Sequence, residues 1–179
     1  MPEVFEGHAD HEGHEASPLA LRVTVTLAIL AVLLALVTLF AHRAAKEELL
    51  LQTQEADQWA FFQAKNSGQH GMQTGADMLA TLAPVDKEKA EALREKYLKE
   101  AERYGEEKKE AKDSAEELKK ERLRVGSRGD RYEAGEVLLE IALIICSFTL
   151  LTQKKLFWYS GMLLGLMGMG TAFSGFLLH

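Results

Sequence analysis

The chain reads as an all-α membrane protein with three transmembrane helices. A long charged helical hairpin, antiparallel and coiled-coil-like, separates the first span from the second. Three observations predict this. Residues 23–41 are nineteen consecutive residues without a charge. Residues 137–178 form a second apolar block, interrupted at 153–155 by Gln153, Lys154 and Lys155. The segment 42–134 holds 18 of the 21 basic and 20 of the 27 acidic residues. A single soluble domain would instead spread its apolar residues into amphipathic stripes. Cys146 is the sole cysteine, which excludes a disulfide scaffold, and a net charge of −6 argues against a nucleic-acid binder.

Residues 1–17 are an acidic, His-rich tail. His8, His11 and His14 recur every third residue among Asp10, Glu12 and Glu15. Imidazole and carboxylate together suit Zn, Cu or Ni, but Gly7 and Gly13 leave no preformed geometry, and ordering the tail costs entropy. Metal ligation, pH sensing by the imidazoles and a merely solvated tail all fit. The first span is expected over 18–41. Ser17 can cap its free amides, and Pro18 sits where a missing N–H costs nothing. At about 1.5 Å per residue the apolar run matches a hydrocarbon layer of about 30 Å. A cleaved signal peptide needs a basic start and a shorter run; the preceding residues here are acidic, so an uncleaved anchor is predicted.

Residues 42–133 cannot bury a globular core with so dense a mixture of charge, but Ala, Glu, Lys, Leu and Arg favour helix. The first arm carries Leu49, Leu50, Leu51, Trp59, Phe61 and Phe62. The second carries a thinner seam at Leu93, Tyr97, Ala101, Tyr104, Ala111, Ala115 and Leu118, supported by i,i+4 pairs such as Glu116–Lys120. Three breaks are expected. Asn66, Gly68, Gly71 and Gly75 weaken 66–76, since each interior glycine costs about 1 kcal/mol. Pro84 ends the first arm, and Asp86 caps the second. Gly126 and Gly129 interrupt 126–129, after which Asp130 and Glu133 form a capping box into the second span. The Arg128-Gly129-Asp130 triplet is read as linker and cap, not as an adhesion signal.

The second and third spans are placed at 134–152 and 156–178, with Phe157, Trp158 and Tyr159 as an interfacial aromatic anchor. Gly161, Gly165, Gly168, Ala172 and Gly175 lie at three- and four-residue steps. Such a stripe lets another backbone approach closely, either the chain's own second span or a neighbouring subunit. Glu136 and Glu140 open the second span; they are an ion or proton site, or acids reaching back to water. Arg43, Lys46 and the basic residues from Lys119 to Arg131 flank one side of the spans, against Arg22, Lys154 and Lys155 on the other. Segment 42–134 is therefore expected in the cytoplasm and the tail outside.

The stretch Asp57-Gln58-Trp59-Ala60-Phe61-Phe62-Gln63-Ala64-Lys65 resembles the hallmark, typically DQWAYYQAK, of a bacterial family of small three-span membrane proteins of unknown function. The resemblance extends through Glu47, Leu50 and Gln52, Arg103-Tyr104, Asp130-Arg131-Tyr132 and Leu156-Phe157-Trp158-Tyr159. The chain departs from the family pattern at 66–76, where glycines replace a more helical stretch. The resemblance implies the three-span architecture and a bacterial inner-membrane location, and assigns no activity. On a helix, Trp59, Phe62 and Lys65 share roughly one face. There they staple the second arm or a neighbouring subunit, or dock a partner. Gln63 with Gln52 and Asp57 is expected to hydrogen-bond laterally, and Gln58 belongs to the same surface.

No HExxH, Walker loop, CxxC or GxSxG is present, and no nucleophile lies beside a base. The expectation is a non-enzymatic, cofactor-free scaffold or accessory subunit. Its partners are the lipid bilayer and either copies of itself or a larger membrane complex. The alternative is a metal-handling or ion-permeation protein using the His tail with Glu136 and Glu140.

Overall fold

The structure, a computed structural model, describes residues 18–82 and 86–177. Among them are three helices and no strand: α1 Pro18–Thr81, α2 Lys87–Thr152 and α3 Lys155–Phe176. Each is long and apolar enough over part of its length to cross a membrane. The histidine tail, the Ser17 cap and the Pro84 break lie outside the described residues.

The chain divides into two compact units. One comprises residues up to Val37 with Ala134–Ala172; the other comprises Thr38–Glu133 with the residues from Phe173 on. In the second unit, α1 and α2 pack antiparallel. Phe40 stacks near Tyr132, Ala44 meets Gly129, and Gly75 meets Tyr97. Moving 35 residues along α1 (40 to 75) moves the partner 35 residues back along α2 (132 to 97), so the register is constant. A stripe of shielded positions explains it. On α1 the shielded residues include 41, 44, 48, 51, 55, 58, 62, 65, 69, 72 and 76, with 59, 66, 68 and 75 beside them. On α2 they include 97, 101, 104, 108, 111, 115, 118, 122, 125, 129 and 132, flanked by 100, 105, 107, 114, 126 and 128. Steps alternate between three and four, an average of 3.5, which keeps one stripe of each helix facing the other. Ala101, Ala111 and Ala115 are buried as the sequence predicts; Leu93 is exposed, and Arg94 takes the inward position instead.

Two predicted breaks are absent. Helix α1 runs through 66–76, and α2 runs through 126–129, with Asp130 and Glu133 inside the helix rather than capping one. Gly68, Gly75 and Gly126 are notches for side chains of the opposite arm. A Cβ on Gly68 would lie 3.0 Å from the Tyr104 ring, one on Gly75 2.9 Å from Tyr97, and one on Gly126 3.0 Å from Glu48 Oε1. Covering about 100 Å² of a tyrosine face contributes about 2.5 kcal/mol, more than the roughly 1 kcal/mol each glycine costs. The Asp86 cap is present: Lys89 N donates to Asp86 Oδ1 at 3.2 Å. The Lys89 ammonium and this amide hold the Asp86 carboxyl below its ordinary value.

The first unit is built from the apolar parts of all three helices. Val23, Leu30 and Val37 recur at seven-residue steps on α1 and are buried, as are Leu139, Ala142, Cys146 and Thr149 on α2. The α3 glycines turn inward toward them. A Cβ on Gly161 would strike Cys146 Sγ and lie 3.0 Å from Ala142 O; one on Gly165 would lie 2.8 Å from Leu30 Cδ2. Gly135 of α2 and Gly168 of α3 bring their backbones together, a Cβ on Gly135 lying 2.8 Å from Gly168 O. The stripe is thus used within the chain, continued in the second unit by Gly175 against Arg131 and Tyr132. Several hydroxyls along the apolar segments donate to carbonyls of their own helix, Thr24 to Ala20 O, Thr26 to Arg22 O and Thr152 to Phe148 O, whereas the buried Thr149 hydroxyl has no partner among the described residues. Such bonds satisfy groups that no solvent would reach in hydrocarbon. Between α2 and α3 the chain reverses through Gln153 at φ 55°, in the left-handed region, with Gln153 N donating to Thr149 O.

The glycine notches differ in a testable way. Gly161→Ala and Gly135→Ala should each lower the melting midpoint of detergent-solubilised protein, by an overpacking cost of about 1–3 kcal/mol. Gly170→Ala, where nothing lies within 4 Å, should not. On the arms, Gly71→Ala should stabilise by about 0.5–1 kcal/mol, since it too meets nothing, while Gly75→Ala should not stabilise.

Candidate interaction site on the helical arms

The segment 52–69 of α1 and its facing residues on α2 hold the densest set of specific side-chain contacts in the second unit. Trp59 and Phe62, one turn apart, meet edge to face with centroids 5.6 Å apart and an interplanar angle of 82°. Lys65, one turn further on, is the hub. Its ammonium lies 4.8 Å from the Phe61 ring centroid and 5.1 Å from that of Tyr104, and it pairs with Glu107 of α2. Arg103 also lies over the Tyr104 ring at 5.3 Å and bridges to Glu100 and Glu107. Flanking this hub, Lys108 Nζ donates to Asn66 Oδ1 at 3.1 Å and to Gln69 Oε1 at 2.7 Å.

On the other side of the aromatic pair, Arg122 of α2 donates from Nε to Glu55 Oε2 at 2.9 Å and lies 3.8 Å from Glu48. Arg128 donates to Glu47 Oε2 at 2.6 Å. The inter-arm pairs join residues 39 to 81 positions apart in sequence, and each fits the same antiparallel register. Polar groups within an apolar seam penalise every other register, because a one-turn slip would separate the partners.

Beside Trp59 lies an open groove of 460 Å³, lined by Gln52, Glu55, Ala56, Trp59, Ala60, Gln63 and Arg122. The expected lateral network is not formed: among the described residues Gln52, Asp57 and Gln63 make no side-chain hydrogen bond. All three are exposed, while Gln58, Trp59, Phe62 and Lys65 are half-buried. The segment therefore has two faces. Phe62, Lys65 and Gln58 turn toward α2, whereas Gln52, Ala60 and Gln63 border the groove with the Trp59 indole as its apolar wall. The groove offers an apolar wall with amide, carboxylate and guanidinium groups around it, and no nucleophile–base pair lies in it.

The other predicted residues separate. Gly161, Gly165, Gly168 and Ala172 lie in the first unit and pack within the chain. Glu136 is half-buried in that unit, while Glu140 is exposed on its surface. Among the described residues no group of three His, Cys, Asp or Glu side chains could hold a metal ion, and His8, His11 and His14 lie outside them. The inter-arm pairs Glu47–Arg128, Glu55–Arg122 and Lys65–Glu107 were not anticipated. For Glu55, Lys65 and Arg122 the signal is a charge falling on a three- and four-spaced seam position; Glu47, Glu107 and Arg128 flank the seam and carry no such signal.

The Lys65 ammonium holds the Glu107 carboxyl below its ordinary 4.5, first by direct bonding and then by charge; Arg103 adds to this, and partial desolvation opposes it. A depressed carboxylate stabilises the fold above the unfolded value and loses that contribution as pH falls through the folded one. Stability should therefore decline on acidification below about pH 4.5, and Glu107→Gln should flatten that part of the curve while leaving the neutral-pH slope unchanged. Unfolding midpoints between pH 3 and 7 measure it.

Searches of curated proteins and of solved structures return no match. The protein-family comparison does return one, over residues 19–178, which takes in all three helices and both faces of the aromatic segment. The chain belongs to the family described as Domain of unknown function (DUF4337).

Proposed function

We propose that this chain is a non-enzymatic integral membrane protein of the bacterial inner membrane that crosses it three times. It works as an oligomeric scaffold or accessory subunit, and its antiparallel coiled coil is displayed on the cytoplasmic side. The observation that carries the oligomeric part is the position of Glu140. Acids within membrane helices face the bundle interior or a water-filled cavity. Glu140 instead lies on the exposed side of α2, with Val137, Ile141, Ile144 and Phe148 also exposed around it. It has no ion pair or hydrogen bond among the described residues. A carboxyl facing outward from a three-helix unit is satisfied when another subunit supplies its partner.

The spanning part of the reading is supported by surface chemistry. The most apolar windows of α1, α2 and α3 are only 17%, 28% and 22% buried within the chain. That much exposed Leu, Ile, Val and Phe is stable against hydrocarbon, and in water it would drive aggregation. The cytoplasmic placement of the arms follows from the basic residues at their membrane ends, Arg43, Lys46, Arg128 and Arg131.

Purified in mild detergent, the protein should give a mass of two or more subunits by light scattering with detergent subtraction. Ile144→Ala with Phe148→Ala should reduce that number, and Glu140→Gln, which keeps a hydrogen-bonding side chain, should retain it. A strictly monomeric parent chain contradicts the oligomeric reading. Loss of an ion or proton flux in Glu140→Gln vesicles would favour permeation instead.

A further inference from the structure

Outside the charged arms the chain has three basic residues, Arg22, Lys154 and Lys155. They come from different helices and from the turn, yet the fold gathers them. A pocket of 370 Å³ at one end of the first unit is lined by Pro18, Arg22, Gln153, Lys155, Trp158 and Tyr159. Lys154 lies between two of these residues in sequence. None of the three cations has an ion pair among the described residues. The acids of this unit within the described residues, Glu136 and Glu140, lie on α2 at least 13 residues before Gln153, about 20 Å along a helix.

We infer that this pocket binds the phosphate of an anionic phospholipid headgroup. Charge complementarity selects an anion: two unpaired cations line a pocket that holds no carboxylate. Depth selects a lipid. The pocket sits where all three apolar segments end together: 23–41 begins after Arg22, α2 stops at Thr152 and α3 starts at Lys155. Headgroup phosphates occupy that level, and basic pockets between membrane helices recognise them. The aromatic pair supplies the rest. Trp158 and Tyr159 lie with ring centroids 5.2 Å apart. The Trp158 indole is fixed by its N–H donating to Thr26 Oγ1 at 3.1 Å, so its ring stands as a wall for the glycerol and upper acyl chain. The residue before α3 is Lys154, whose side chain has no acceptor to cap the helix; Phe157 N donates to Lys154 O, and the Lys155 and Leu156 amides at the helix start also favour an anion.

The inference rests on the membrane-spanning reading above, and one experiment separates the two. The full-length protein is reconstituted in phosphatidylcholine vesicles containing a minor share of phosphatidylglycerol, with either lipid brominated on its acyl chains. Trp158 quenching is read after subtracting the emission of a Trp158→Phe chain. Brominated phosphatidylglycerol should quench out of proportion to its share. Arg22→Gln and Lys155→Gln should each lower that preference about fivefold, and Lys155→Arg should keep it. Equal quenching per lipid by both species overturns the headgroup site and leaves the spanning reading intact. Absence of quenching by either overturns both. A preference that appears only when Glu12→Gln and Glu15→Gln are introduced assigns the pocket to the chain's own acidic tail and overturns the site as stated.

Discussion

The second unit depends on one constraint: two helices with a strict three- and four-residue alternation of shielded positions hold a single antiparallel register. A helix of 3.6 residues per turn keeps a 3.5-residue stripe in contact with its partner only if the stripe is sustained. Here it runs without a skipped step from 41 to 76 on α1 and from 97 to 132 on α2. Given that register, Gly68 and Gly75 each have their tyrosine, Arg122 has Glu55 and Glu48, and Lys65 lies near two aromatic rings and a carboxylate. Shift it by one turn and all of these contacts are lost together. The seam is rich in alanine, so no single contact is large, and the specificity lies in their agreement.

The first unit solves a different problem with related means. Its helices are apolar enough to cross a membrane; in hydrocarbon such helices would gain little from burial against one another, and close backbone approach would take its place. Gly135 opposite Gly168, and Gly161 opposite Cys146, supply that approach. The glycine stripe is thus used inside the chain. The outward side of α2 carries Glu140, without a partner among the described residues, beside exposed branched and aromatic residues.

Much of this was legible in the residues. Long apolar runs marked three candidate spans, Asp86 announced the start of the second long helix, and buried alanines at helical spacing marked its seam. The glycines misled, for a physical reason. Helix propensity is counted along one chain segment, and there Gly68 and Gly75 only cost. What offsets them are the Tyr104 and Tyr97 rings, 36 and 22 residues away, which become neighbours only once the register is known. The same holds for Glu55 with Arg122 and for Lys65 with Glu107: the sequence displays both charges without saying which will meet. The lateral amide network around Gln63 failed for the converse reason. Residues that could bond along one helix face were left lining an open groove, because the seam runs along the adjacent face.

The register is tested most directly by cysteine cross-linking of the intact protein in a Cys146→Ser background. A Cβ at Gly129 lies 3.6 Å from the Ala44 Cβ, within the range a disulfide requires. Ala44→Cys with Gly129→Cys should therefore close an intramolecular bond under mild oxidation, visible as a faster-migrating monomer. Leu51→Cys with Gly129→Cys, displaced by two turns, should not. Cross-linking of the displaced pair, or failure of the first pair in protein that melts normally, would contradict the constant register and the assignment of side chains that follows from it.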